Sequence, residues 1–182
     1  MKLLLKAGLA LLVALYPLAI YLGVQSDYRE WLPLLLVAIG VIHLLRALKG
    51  NRSGWLWVVI CLVLAAWSWL QQSTLGIKFY PVAINVSMLL VFGFSLISPP
   101  TVIERMARLQ EPELPPHAIA YTRKVTVVWC LFFILNGTIA GLTIFASDAV
   151  WALYNGLISY LLIGLLFAIE WLVRQRVRKN AV

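Results

Sequence analysis

Residues 125–146 read VTVVWCLFFILNGTIAGLTIFA, a run without a single charged side chain. Wound as an α-helix, such a run covers about 33 Å, enough for a hydrocarbon layer about 30 Å thick. Lipid offers backbone N–H and C=O groups no hydrogen-bond partners, so only a helix satisfies them within the run itself. Working outward, comparable stretches lie at about 3–24, 31–48, 54–70, 79–98 and 149–173. Across all 182 residues, 63% are hydrophobic and 12% charged, and the mean hydropathy is +0.92. That balance lies far outside the soluble range. The expectation is an all-α integral membrane protein, one transmembrane domain over 1–182 with six transmembrane helices. A soluble catalytic domain and a soluble nucleic-acid enzyme are excluded. The spans at 31–48 and 54–70 are short enough for a re-entrant pair, but Arg46, Lys49 and Arg52 between them suit a solvated hairpin turn, and two full spans are expected. The first span resembles a secretory signal, yet its apolar core is too long and no convincing small-residue cleavage site follows. It is expected to be retained.

The net charge of +8 is explained by its distribution. Counted by alternate sides, thirteen of the fifteen basic residues share one face: Lys2 and Lys6; Arg46, Lys49 and Arg52; Arg105, Arg108, Arg123 and Lys124; Arg174, Arg176, Arg178 and Lys179. Arg29 and Lys78 lie on the other, with Asp27, Glu30 and Asp148. The positive-inside rule then places both termini in the cytoplasm. The eight Trp fall near span ends, Trp31, Trp67, Trp69 and Trp151 outward and Trp55, Trp57, Trp129 and Trp171 inward, as expected of interfacial belts.

One connection differs from the short turns that make consecutive helices antiparallel neighbours. The cytoplasmic loop 99–124 holds five of the eight prolines, four basic residues and three acidic ones. Within it Val102, Ile103, Met106 and Leu109 recur at helical spacing after Pro99-Pro100, which predicts a short interfacial helix between spans four and five. Its apolar side is expected on the headgroup boundary and its charges in water, with Glu104 and Arg108 paired at i,i+4. Prolines 112, 115 and 116 end it.

Residues that could carry chemistry are few. Cys61 and Cys130 lie inside spans without a CxxC spacing and are expected to pack as small hydrophobes. His43 and His117 form no metal-ligand motif, and His117 lacks an Asp five positions on, where a His-and-Asp acyltransferase pattern would put it. No cofactor or metal is expected. Polar residues inside the spans are more informative, because each needs a partner or a wet cavity. Asn136 falls near the midplane, with Asn85 and Asn155 toward the outer face. They are read first as interhelical hydrogen bonds, and second, with Tyr154, as the lining of an outward polar cleft. Gly141, Gly156 and Gly164, with Asn136-Gly137 and Asn155-Gly156, suggest a tight hairpin of spans five and six. Glu170, four residues before Arg174, is read as an i,i+4 pair rather than a proton-coupling group.

The order Ile77-Lys78-Phe79-Tyr80-Pro81, Ile103-Glu104-Arg105-Met106, Leu114-Pro115, Trp129 with Phe132-Phe133, and Ser147-Asp148 with Trp151 resembles the bacterial intracellular septation protein A family. It covers about 76–172. That family consists of multi-span inner-membrane proteins linked to envelope synthesis and division, with no established catalytic site. Over its full length the chain is similar to a group of proteobacterial inner-membrane proteins often encoded beside aryl polyene, fatty-acid-like biosynthesis genes. Glu104-Arg105 through Leu114-Pro115-Pro116, and Trp151-Ala152-Leu153-Tyr154-Asn155-Gly156, carry that match. Where the septation family has a Lys after the aromatic following its second Trp, this chain has Tyr154-Asn155, and a division role is not carried over.

These readings imply a bacterial inner-membrane location and a non-catalytic accessory or scaffold protein in envelope lipid or aryl polyene assembly. Glu104, Arg105, Arg108, Arg123 and Lys124 are its candidate docking residues for envelope-synthesis or division proteins on the cytoplasmic side. The lipid bilayer is its other partner, and no nucleic acid is expected. A transporter or flippase of a lipid or lipophilic metabolite is the alternative, with Asn85, Asn136, Tyr154 and Asn155 lining the pathway; a chain this small would need to form a homo-oligomer to enclose one. A membrane enzyme acting on acyl chains, through His117 or Glu104, is the third reading.

Overall fold

A computed structural model describes residues 22, 33–50, 53–71 and 74–179. The predicted span 3–24, Leu22 apart, lies outside these residues, as do Asp27, Arg29, Glu30, Trp31 and Arg52 of the charge and aromatic readings. Every regular element among the described residues is helical. Among the described residues, three helices, Leu75–Ile97, Pro116–Thr143 and Asp148–Val177, are long and apolar enough to cross a membrane. The chain divides into two compact units, Met1–Pro81 with Ala140–Tyr160, and Val82–Ile139 with Leu161–Val182.

In the first unit, α1 (Pro33–Leu48) and α2 (Ser53–Leu70) form a hairpin. The turn between them needs Gly50 at φ +92°, a conformation that costs glycine nothing. The buried positions of α1 are Leu36, Ile39, Gly40, His43 and Ala47, and those of α2 include Val58, Cys61, Ala65 and Ser68. Both sets recur at three- and four-residue spacing, one stripe per helix. The stripes meet closely: a Cβ on Gly54 would lie 2.9 Å from the Ala47 Cβ and from the His43 carbonyl oxygen. Above it His43 stacks on Trp57, centroids 5.6 Å apart. With 16 residues, α1 reaches only about 24 Å.

After α2 the chain doubles back. The Ile77 N–H donates to Ser68 Oγ at 3.0 Å, and α3 (Leu75–Lys78) is separated from α4 (Tyr80–Ile97) by a turn at Phe79. Pro81 accounts for the interruption, since it has no N–H to give the Ile77 carbonyl and its ring crowds that group. Farther along, Ser147 caps α7 (Asp148–Leu153) by accepting the Val150 N–H at 3.3 Å. One turn of π-helix, Tyr154–Ile158, joins α7 to α8 (Ser159–Lys179).

The second unit contains most of α4 and of α6 (Pro116–Thr143), all of α5 (Val102–Arg108), and α8 beyond Tyr160. Its core is aromatic. Trp129 packs against Phe167, Phe133 and Phe132 with centroids 4.7, 5.7 and 5.8 Å away, and Phe92 meets Phe133 edge-on at 5.1 Å. Ile103 and Val125 complete the cluster. In lipid, where burial of apolar surface drives little, such shape-matched contacts are what hold helices together.

Three expectations are corrected. Trp129 and Trp151 are not belt residues: they are 5% and 0% exposed, because Trp129 sits at the middle of α6 against other aromatic rings and Trp151 sits in α7 with its indole on the Lys78 carbonyl. Among the described residues, the exposed tryptophans are Trp55, Trp67, Trp69 and Trp171. Gly164 has open space around it and brings no helix close. The close approach is made by Gly137, where a Cβ would sit 2.9 Å from the Asn85 Cβ, so its partner in this unit is α4. Finally, α6 starts at Pro116 rather than Val125, since proline is accommodated at a first helical position.

Gly137→Ala is expected to destabilise the purified protein by about 1–3 kcal/mol through overpacking against Asn85, and Gly164→Ala to have no such cost. Melting temperatures of the two variants in one detergent give the comparison.

Candidate functional site

The loop 99–124 is a built module. Thr101, extended at φ −65° and ψ 161°, caps α5 by accepting the Glu104 N–H at 3.2 Å. Ser95 ties α5 to the end of α4: its hydroxyl donates to the Phe92 carbonyl at 2.7 Å and accepts the Val102 N–H at 3.1 Å. Three guanidinium groups then hold the connections. Arg105 Nε donates to the Pro100 carbonyl at 3.0 Å, Arg108 Nη1 to the Pro112 carbonyl at 3.1 Å, and Arg123 Nη1 to the Leu96 carbonyl at 3.0 Å. These carbonyls lie at a helix end and in turns, where the backbone has no helical donor to satisfy it.

Glu104 and Arg108 pair as spaced, with Arg108 Nη2 2.7 Å and Nε 3.0 Å from Glu104 Oε1. The solvent-facing position expected for Glu104 is corrected: it is 5% exposed, beside buried Ile103. Adjacent positions on a short helix share its inner side, and Ile103 is drawn in by the Trp129 cluster. Met106 and Leu109 are exposed instead. Of the five docking candidates, Arg105, Arg123 and Lys124 are exposed, Arg108 is half-buried, and Glu104 is inside.

Next to this module a cavity of about 400 Å³ opens between α5, the 110–115 turn, the first turns of α6 and the last turns of α8. Ile103, Ala107, Leu114, Ala118 and Val177 give it apolar walls. Its polar centre is a closed network: Arg174 donates from Nε to Glu170 Oε1 and from Nη2 to Glu170 Oε2, each at 2.9 Å. Tyr121 OH donates to Glu170 Oε1 at 3.3 Å and to the Glu170 carbonyl at 3.2 Å. Exposed Gln110, Glu111 and His117 complete the lining. Nothing in the sequence marked Tyr121; the cavity unites stretches some fifty positions apart, and only the Glu170–Arg174 spacing was legible.

The asparagines of the predicted cleft are engaged within their own units. In the second unit Asn136 Nδ2 donates to Asn85 Oδ1 at 3.1 Å. In the first, Asn155 Nδ2 donates to Thr143 Oγ1 at 3.1 Å and to the Trp151 carbonyl at 2.9 Å, while Trp151 Nε1 donates to the Lys78 carbonyl at 3.3 Å. Lys78 forms an ion pair with Asp148. Tyr154 is buried, at the start of the π-turn that also holds Asn155. Among the described residues, no buried side-chain nitrogen or oxygen lacks a hydrogen-bond partner. No group of three or more His, Cys, Asp or Glu among them is placed to hold a metal ion, and Cys61 and Cys130 are buried free thiols.

Comparisons with protein families, with curated proteins and with solved structures give no match.

Removing the cap with Thr101→Ala is expected to cost about 1 kcal/mol and to loosen α5. Trypsin should then cut at Arg105 and Arg108 several-fold faster in membranes opened to expose this face, with cleavage elsewhere unchanged. Equal rates would show that Thr101 does not hold the module.

Proposed function

We propose that this chain is a six-span inner-membrane accessory protein of envelope lipid or aryl polyene assembly, with both termini in the cytoplasm and the 99–124 module as its docking surface. The observation that carries the reading is the construction of that module. A mere linker between helices needs no cap, no buried carboxylate and no guanidinium clamps; a surface that must present Arg105 and Lys124 in a constant arrangement does. The clamping arginines also keep a positive surface on the face that the positive-inside rule assigns to the cytoplasm. The family resemblance supplies the envelope context.

The three long helices account for three of the proposed spans. The α1–α2 hairpin supplies two more if the thickness of the bilayer adjusts to helices near 24–27 Å, a mismatch that membranes accommodate at modest cost. The span 3–24 is the sixth. The transporter reading rests on a shared cleft for Asn85, Asn136, Tyr154 and Asn155, and no observed contact favours it. The enzyme reading through Glu104 is weakened by that carboxylate's burial against Arg108.

A reporter active only in the periplasm should work when inserted beside Asp148 and fail at Val182; the reverse pattern overturns the orientation. In growing cells, a photocrosslinker at exposed Met106 or Leu109 should trap an envelope-lipid enzyme, whereas one at Leu135 should trap lipid. Charge reversal at Arg105 and Lys124 together should reduce that protein adduct about tenfold, the effect of losing roughly 1.4 kcal/mol of charge complementarity. Unchanged capture removes docking from the function of the module.

A further inference from the structure

The cavity beside α5 has a property that selects among ligands. Its walls are apolar, its polar centre carries both charges of an ion pair whose sum is zero, and the other ionisable lining residues, Glu111 and His117, are exposed to water, which screens them. The Glu170 carboxylate side chain is 10% exposed, and its two oxygens already accept from Arg174 and Tyr121. An anion entering toward Arg174 would meet Glu170 directly behind it; a cation entering toward Glu170 would meet Arg174. Either would be stripped of water without gaining a free counter-charge, which is costly. An uncharged oxygen group faces no such conflict. Its carbonyl or hydroxyl oxygen can accept from Arg174 Nη1, which is not used in the pair, and a hydroxyl can donate to a further lone pair of Glu170. A volume of about 400 Å³ is that of an ordinary small-ligand pocket.

We propose that this cavity binds the uncharged, oxygen-bearing end of an acyl chain, a glyceryl ester or a thioester, with the adjoining methylenes against Ala107, Ala118 and Val177. The assignment rests on the cytoplasmic placement and acyl context of the proposed function. It implies that the docking module and an acyl site are neighbours, so a partner seated on Arg105 and Lys124 would stand next to the chain end it handles.

The test uses the full-length chain in nanodiscs, without any partner, at about pH 8, where a carboxylate and an alkylammonium are both charged. Four probes share one diazirine-bearing acyl tail: a monoacylglycerol in the bilayer, an acyl-pantetheine thioester added from water, the free fatty acid and the alkylamine. The expected result is labelling of peptides around 103–122 and 170–177 by a neutral probe, about tenfold above both charged ones. Whichever neutral probe dominates identifies the source of the ligand, membrane or aqueous carrier. Ala118→Trp and, independently, Ala107→Trp should fill the cavity and abolish that labelling. Glu170→Gln should shift the preference toward the fatty acid, and Arg174→Gln toward the alkylamine. Equal labelling by all four probes overturns the proposal, as does a preference unmoved by Glu170→Gln and Arg174→Gln in proteins that melt like wild type. Because no partner is present, this failure is separate from a failure of the docking surface, which is read by crosslinking in cells.

Discussion

A hydrocarbon chain can neither give nor take a hydrogen bond, and that single deficiency organises this protein. Every polar group placed among the helices has to close on another group of the same chain. The threonines of α6 do so alone, Thr126 and Thr138 each donating to the carbonyl four residues earlier and Thr143 to the one three earlier. Asparagine, with a donor pair and an acceptor, cannot be closed so locally, and therefore becomes a joint between elements: Asn136 to Asn85, and Asn155 to Thr143. Such bonds contribute modestly, about 0.6 kcal/mol on average in membranes, but their geometry sets which helix faces which. Gly137 shows the dependence, since the Asn136–Asn85 bond requires an approach that a methyl group at 137 would block.

The same constraint shapes the π-turn at Tyr154–Ile158. An extra residue inserted in a helical turn leaves a backbone carbonyl without its usual partner, and such turns often mark functional positions. Here the Asn155 amide donates to the Trp151 carbonyl within that region. Trp151 in turn reaches the Lys78 carbonyl, and Lys78 is neutralised by Asp148. A completely buried indole, a lysine 7% exposed and an irregular helical turn thus form one satisfied set.

What could be read from the sequence follows from which properties are local. The lengths of apolar runs are local, and the predicted 54–70 and 31–48 reappear as Ser53–Leu70 and Pro33–Leu48. Spacing on one helix is local too, which is why the pairs Glu104–Arg108 and Glu170–Arg174 were legible. Direction around the helix axis is not. Trp129 and Trp171 occupy similar sequence contexts near span ends, yet one is core and the other exposed, because only the position of a second helix decides between them. Glu104 illustrates the same limit: its partner could be named from spacing, its burial could not. The cavity was invisible for a stronger reason, as its walls come from 103–122 and 170–177 and exist only once α6 and α8 are side by side.

That arrangement also links stability to recognition in the second unit. Ile103 is anchored by the Trp129 cluster and simultaneously lines the cavity, while Tyr121 packs against that cluster and reaches Glu170. The aromatic core therefore sets the distance between α5 and the Glu170–Arg174 pair, and with it the width of the space between them. Aromatic contacts of this kind contribute about 0.5–1.5 kcal/mol each beyond their burial. They also resist gradual deformation, since packed rings move between discrete arrangements rather than compress. Arg105, Met106 and Leu109 lie on the exposed side of α5, while Ile103 on its inner side is shared between the aromatic core and the cavity wall. The clamps on Pro100, Pro112 and Leu96 fix the two ends of that helix from outside, so α5 is held on one side by ring packing and on the other by charge-assisted hydrogen bonds to turn carbonyls.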